Sequence, residues 1–251
     1  MRSYIGIILF VFLFSVDGMA AEIRMAPKND YVDTSKTVVI SGVIESGDTD
    51  KLLNNIILNP NPDMSRYPVS EILLGPSAGG NLEEALNIAF LVRTLRLKVI
   101  VLDRCYSACA IIALASPFRV YAGELGLHRP YFDSDFYGNK SSEYIESWHS
   151  KMNERVKGFM SESYVSSAVV DKMMSTSSRD MWVVSASDAP EVFSNFHPYF
   201  EETIYAKCSD LPVTIPDLGI NAECLDENVK VLQKHSLIRF LKAVSQGDFQ
   251  H

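Results

Sequence analysis

The sequence predicts an α/β fold in which a parallel sheet is covered by helices, and three observations carry that prediction. Short β-branched or fully apolar runs, Thr37 to Ile44, Glu71 to Leu74 and Val99 to Leu102, have the character of strands buried on both faces. Between them lie segments whose apolar residues recur at helical spacing. The junctions carry turn and cap residues, Ser46-Gly47-Asp48 and Pro76-Ser77-Ala78-Gly79-Gly80, so each strand is expected to turn tightly into a helix.

Taken in order, Thr37 to Ile44 is the first strand, and Leu52 to Leu58 is the helix that Ser46 to Asp50 would cap. The short strand Glu71 to Leu74 runs into the Gly79-Gly80 turn. Leu82, Ala85, Leu86, Ala89 and Val92 to Leu95 then form one helical face. Val99 to Leu102 is the next buried strand, and an apolar helix from Ala108 to Ala115 starts at or just after Ser107. Phe118 to Ala122 and Gly126 to His128 read as short strands. Two helical patterns fill Ser141 to Met174, and Trp182 to Val184 resumes strand character. Alternation of this kind places parallel strands side by side with helices as the crossovers. Near the end, Leu232, Leu237, Ile238 and Leu241 make Val229 to Val244 a helix with an apolar face for the core or for a neighbour.

The chain opens as an exported protein would. Met1-Arg2, the apolar run Ile5 to Val16 and the small-residue site Gly18-Met19-Ala20 make a secretory leader, residues 1–20, with cleavage expected after Ala20. The run is shorter than the roughly 20 apolar residues a bilayer span needs, so no stable membrane span is expected after cleavage. The expected location is periplasmic or secreted. A net charge of −8 argues against a nucleic-acid partner. Roughly 230 residues remain, enough for one domain with a two-sided core. The four cysteines then favour disulfides, because an exporting compartment oxidises thiols. Cys208 and Cys224 bracket the Pro-rich stretch Leu211 to Gly219, where a bridge would pin weakly patterned chain, and Cys105 and Cys109 are left to each other. Two small buried hydrophobes, or a metal site with His128, are the other readings of the second pair. No further ligand stands at metal spacing.

Three short segments carry chemistry: Ser77-Ala78-Gly79-Gly80, Cys105-Tyr106-Ser107-Ala108-Cys109 and Gly126-Leu127-His128-Arg129-Pro130. A serine hydroxyl needs an adjacent base before it can attack an acyl carbon, and Ser107 at a strand-to-helix junction would expose its hydroxyl for that attack. Alone, such a serine is most often a helix cap. The Ala108 N–H at the helix start and an N–H from the Gly79-Gly80 turn could face the developing oxyanion. His128, after a strand, would be the general base. His149, His197, His235 and His251 lack such a setting. A carboxylate must then orient the imidazole, and Asp180 after Arg179 is the candidate, with Asp133 and Asp171 as fallbacks.

These segments, in this order and followed by Arg179-Asp180, resemble the protease subunit of the Clp system and its ClpP/crotonase superfamily. The resemblance runs from about Thr37 to Phe196 and is absent beyond about Tyr199. It implies a fold of repeated ββα units over residues 21–200, with residues 201–251 as a C-terminal extension of pinned loop plus helix. It also implies a serine peptidase: Ser107 nucleophile, His128 base and then acid, Asp180 orienter, and Gly80, beside Gly79, as the oxyanion donor that joins Ala108. Alanine stands at residue 78, where the Clp protease has proline. Cys105 and Cys109 depart from that protease, although exported ClpP-like proteins show a similar Cys-x-Ser-Ala-Cys segment, which implies a bridge across the turn. Neither a metal nor an organic cofactor is expected. A peptide or protein is the expected substrate, and self-association is expected of the family. The competing expectations are a Ser-Lys pair using Lys140, Lys151 or Lys157, a non-catalytic peptide- or partner-binding protein, and crotonase-type acyl-CoA chemistry, which an exported chain with no basic cluster disfavours.

Overall fold

The computed structural model describes residues 19–27, 36–57, 69–209 and 220–246. Residues 1–18 of the expected leader and the Pro-rich stretch Leu211 to Gly219 lie outside them. The strands are β1 (Glu22–Met25), β2 (Thr37–Ser41), β3 (Glu71–Leu74), β4 (Lys98–Val101), β5 (Cys105–Tyr106), β6 (Arg119–Tyr121), β7 (Leu125–Leu127) and β8 (Trp182–Val184). The helices are α1 (Asp48–Ile57), α2 (Leu82–Leu95), α3 (Ala108–Leu114), α4 (Ser134–Tyr137), α5 (Ser142–Glu162), α6 (Ser167–Ser175), α7 (Ala189–Phe193), α8 (Pro198–Cys208) and α9 (Ala222–Gln246).

The result is a mixed α/β fold with two sheets. The larger has the order β1-β2-β3-β4-β6. Strands β2, β3, β4 and β6 run parallel, in register through Val38, Ile72 and Val99, while β1 closes one edge antiparallel to β2. The smaller has the order β5-β7-β8, with β5 parallel and β8 antiparallel to β7. Isolated bridges from Ile44 to Gly80 and from Ser77 to Cys105 extend this second row. Each parallel strand of the large sheet thus runs into a short piece of the second row before a helix begins: Val43-Ile44 before α1, Ser77 to Gly80 before α2, β5 before α3.

Burial explains the arrangement. All four residues of β3 are buried, which fits a strand covered on both faces. On α2, seven residues from Ala85 to Leu95 face the core, and Asn81 caps the helix by accepting the Glu84 N–H at 3.0 Å. All seven residues of α3 are buried. This helix is apolar all round because it passes through the interior. At the opposite end of the strands from the second row, the buried carboxylate of Glu71 meets Lys98 at 3.0 Å and Thr37 Oγ1 at 3.1 Å. That buried charge is paired and hydrogen-bonded.

The C-terminal helices dock on this body. Phe118 stacks on Phe196 with ring centroids 4.9 Å apart, and both join Phe200, Ile204, Cys208, Ile220, Leu225 and Val229 in a second apolar cluster. Gln233 of α9 donates to the carbonyls of Ser70 and Arg96 at 2.9 and 3.0 Å. Phe240 enters the main core. The side of α9 that carries Leu225, Val229, Leu232, Leu237 and Phe240 therefore packs on the domain itself, whereas Ile238 and Leu241 of the expected apolar face are exposed, and the expected boundary at residue 200 falls inside α8. A disulfide joins Cys208 of α8 to Cys224 of α9, and no cysteine is free. Among the described residues no helix is long and apolar enough to cross a membrane.

Candidate active site

Ser107 lies between β5 and α3 with φ 54° and ψ −120°. A helix cap has ordinary extended dihedrals and bonds the first turn with its side chain; Ser107 has neither, since its hydroxyl makes no capping bond. A non-glycine residue held in this region is strained, and the surroundings supply the constraint. The Ser107 N–H donates to the Gly126 carbonyl at 2.7 Å, and the Ser107 carbonyl accepts from the Ala110 N–H at 3.0 Å. One residue earlier, the Tyr106 N–H donates to the Ser77 carbonyl at 3.0 Å. A second disulfide, Cys105 to Cys109, closes around the turn with Cα atoms 5.2 Å apart.

Pairing of β5 with β7 sets Cys105 opposite Leu125 and Tyr106 opposite Gly126, so Ser107 and His128 leave the same end of two adjacent parallel strands. His128 is largely buried, and its ring lies 5.6 Å from that of Tyr131. The ring Nδ1 bonds the Arg129 carbonyl at 2.8 Å. With Nδ1 protonated for that bond, Nε2 is left as the basic nitrogen. The hydrogen bonds present do not include one from the Ser107 hydroxyl to this ring.

Asp180 is exposed, and no hydrogen bond or ion pair joins its carboxylate to His128 among the described residues. Beyond the last paired residues, Leu127 and Trp182, the Arg129 N–H donates to the Thr176 carbonyl and the Asp180 N–H to the Ser177 carbonyl, each at 3.0 Å, so Asp180 sits in a local turn at the surface. Asp133 and Asp171 are exposed as well, the first preceding α4 and the second on α6.

The glycine turn separates into two tasks. Gly79 has φ 100°, and a Cβ there would sit 2.7 Å from Ser107 Cβ and 3.0 Å from the Ala108 nitrogen, so only glycine lets these loops touch. Its N–H is occupied by Ser77 Oγ at 3.2 Å, and Ser77 Oγ itself donates to the Gly42 carbonyl at 2.6 Å. Gly80 follows with φ 136°. The Gly79 carbonyl and the Asn81 N–H are both spent on Ile44 at 2.8 Å, which turns the Gly80 N–H away from Ile44. Among the described residues neither the Gly80 N–H nor the Ala108 N–H has a hydrogen-bond partner.

Several groups at the site escaped the sequence reading. Ser77 fixes the glycine turn, and the Arg129 carbonyl holds the imidazole; a backbone carbonyl leaves no mark in residue type. Tyr106, next to Ser107, donates its phenol to Glu124, and burial with that carboxylate pushes its pKa up to about 12. The described residues hold no cluster of metal-ligating side chains.

No family model matches this chain, and no curated protein matches it. Among solved structures it is similar to a point mutant of ClpP1 from Listeria monocytogenes, at 18% identity and a TM-score of 0.49 over 64% of this chain and 89% of that one. The likeness to a ClpP-like fold is weak and partial.

Proposed function

We propose that this protein is an exported serine peptidase in which Ser107 attacks the peptide carbonyl and His128 carries the proton. One observation supports this above all: Ser107 is held in a strained turn beside the strand that leads into His128, with its hydroxyl uncommitted to the helix. In the reaction, His128 Nε2 takes the Ser107 proton as Oγ bonds the acyl carbon. The carbonyl oxygen becomes an anion that the N–H groups of Ala108 and Gly80 receive. Collapse expels the amine, which takes its proton from the imidazolium, and water then releases the acyl group by the same steps in reverse. The Ser107–His128 hydrogen bond forms with substrate in place, as such bonds often tighten only in the Michaelis complex.

The Arg129 carbonyl holds the imidazole tautomer in the resting protein. Asp180, exposed in a surface turn, takes over that role only if the turn moves toward the ring. A fluorophosphonate probe therefore separates the roles: Ser107→Ala abolishes capture, His128→Ala slows it at least about 100-fold, and Asp180→Asn slows it less than tenfold. A larger loss in Asp180→Asn would restore the full triad. The missing Ser–His and His–Asp bonds favour one second reading, a peptide-binding protein without catalysis. It predicts no capture by the wild type.

A further inference from the structure

The geometry points to the Cys105–Cys109 disulfide as a positioning element for the nucleophile, an inference that rests on the peptidase reading. Four residues of extended chain span roughly 13 Å, whereas the Cα atoms of Cys105 and Cys109 are 5.2 Å apart. The chain is therefore compacted into a turn between them, and the middle residue of the closed ring is Ser107. The sharpest dihedrals fall on that residue, φ 54° and ψ −120°, while Cys109 already lies in the helix. Both cysteines are fully buried and packed in the main core, so the two ends of the ring are fixed in the strand and in the helix.

Hydrogen bonds hold the strand side of the turn, with the Tyr106 N–H on the Ser77 carbonyl and the Ser107 N–H on the Gly126 carbonyl, and the Ala110 N–H on the Ser107 carbonyl opens the helix. Among the described residues no backbone hydrogen bond joins α3 directly to β5. The disulfide supplies that link covalently. Without it, Ser107 can relax toward ordinary dihedrals at the helix start and use its hydroxyl as a cap, which takes the oxygen away from His128. The distant Cys208–Cys224 bridge joins α8 to α9 and touches none of these groups.

The test compares the Cys105→Ala/Cys109→Ala protein with Cys208→Ala/Cys224→Ala and the wild type. Fluorophosphonate capture, peptide kcat and KM, and thermal unfolding are measured on all three. Expected for the first variant is a fall of about tenfold in capture rate and kcat, with KM unchanged, the size set by losing a strained minority conformer. The second variant loses stability and keeps the wild-type capture rate. If the first variant does not fold, Cys105→Val/Cys109→Ala refills the volume and takes its place. A crystal structure of the folded variant is expected to show Ser107 at negative φ. Capture equal to wild type, or Ser107 still at positive φ, overturns this inference alone. Absence of capture in the wild type overturns the peptidase reading and this inference with it.

Discussion

His197 shows how far a single residue can bind the fold to pH. It is 7% exposed, precedes α8, and its Nε2 has no hydrogen-bond partner among the described residues. Burial first, then the nearby guanidinium groups of Arg119, Arg96 and Arg93, lowers its pKa to about 3. The unfolded chain, with a histidine near 6.5, binds this proton more readily than the folded one. Stability is therefore intact above about pH 6.5 and falls as the pH drops toward 3, by up to about 1.4 kcal/mol per pH unit. Urea unfolding of wild type and His197→Phe between pH 7 and pH 4 checks this. The variant is expected to lose less stability over that interval; parallel curves would contradict the assignment. Nothing in the sequence marks His197 as special, because its environment is assembled from α2, β6 and α8.

At the scale of elements, α9 is where sequence reasoning stopped short. Its apolar stripe from Val229 to Leu241 was legible, but a stripe does not name its partner. Besides its buried apolar residues, one polar side chain marks the docking site: Gln233, which donates to the carbonyls of Ser70 and Arg96 at the ends of β3 and α2. Truncating it in Gln233→Ala leaves the buried Ser70 carbonyl with only the Lys98 N–H, removes a donor from the part-buried Arg96 carbonyl, and costs about 1–2 kcal/mol. Tm is expected to drop by several degrees, with the capture rate unchanged. An unchanged Tm would mean that the Gln233 hydrogen bonds contribute nothing to the domain. The edge strand β1 and the two-residue β5 were also invisible. Both are too short for a periodic signal, and β5 owes its existence to its pairing with β7, with an isolated bridge to Ser77 on its other side. By contrast β2, β3, β4 and α2 were readable, since their burial on both faces or on one stripe is written directly in apolar residues.

For the whole molecule, the arrangement of strands matters more than any one motif. The second row of short pieces gathers segments from Ile44, Ser77 to Gly80, β5 and β7, so a glycine turn, a serine and a histidine from three separate units meet at one edge. Chain order made this convergence legible as a candidate; the tautomer-holding carbonyl and the place of Asp180 were not, because both depend on the path of the loops that follow β7 and α6. The central claim is that Ser107 is an activated nucleophile. Peptide mapping by mass spectrometry of the purified, disulfide-intact protein after fluorophosphonate treatment tests it most directly. A single phosphonyl adduct is expected on Ser107, forming at least about 100-fold more slowly when His128 is replaced by alanine. An unmodified protein, or an adduct on another serine with Ser107 untouched, would contradict it.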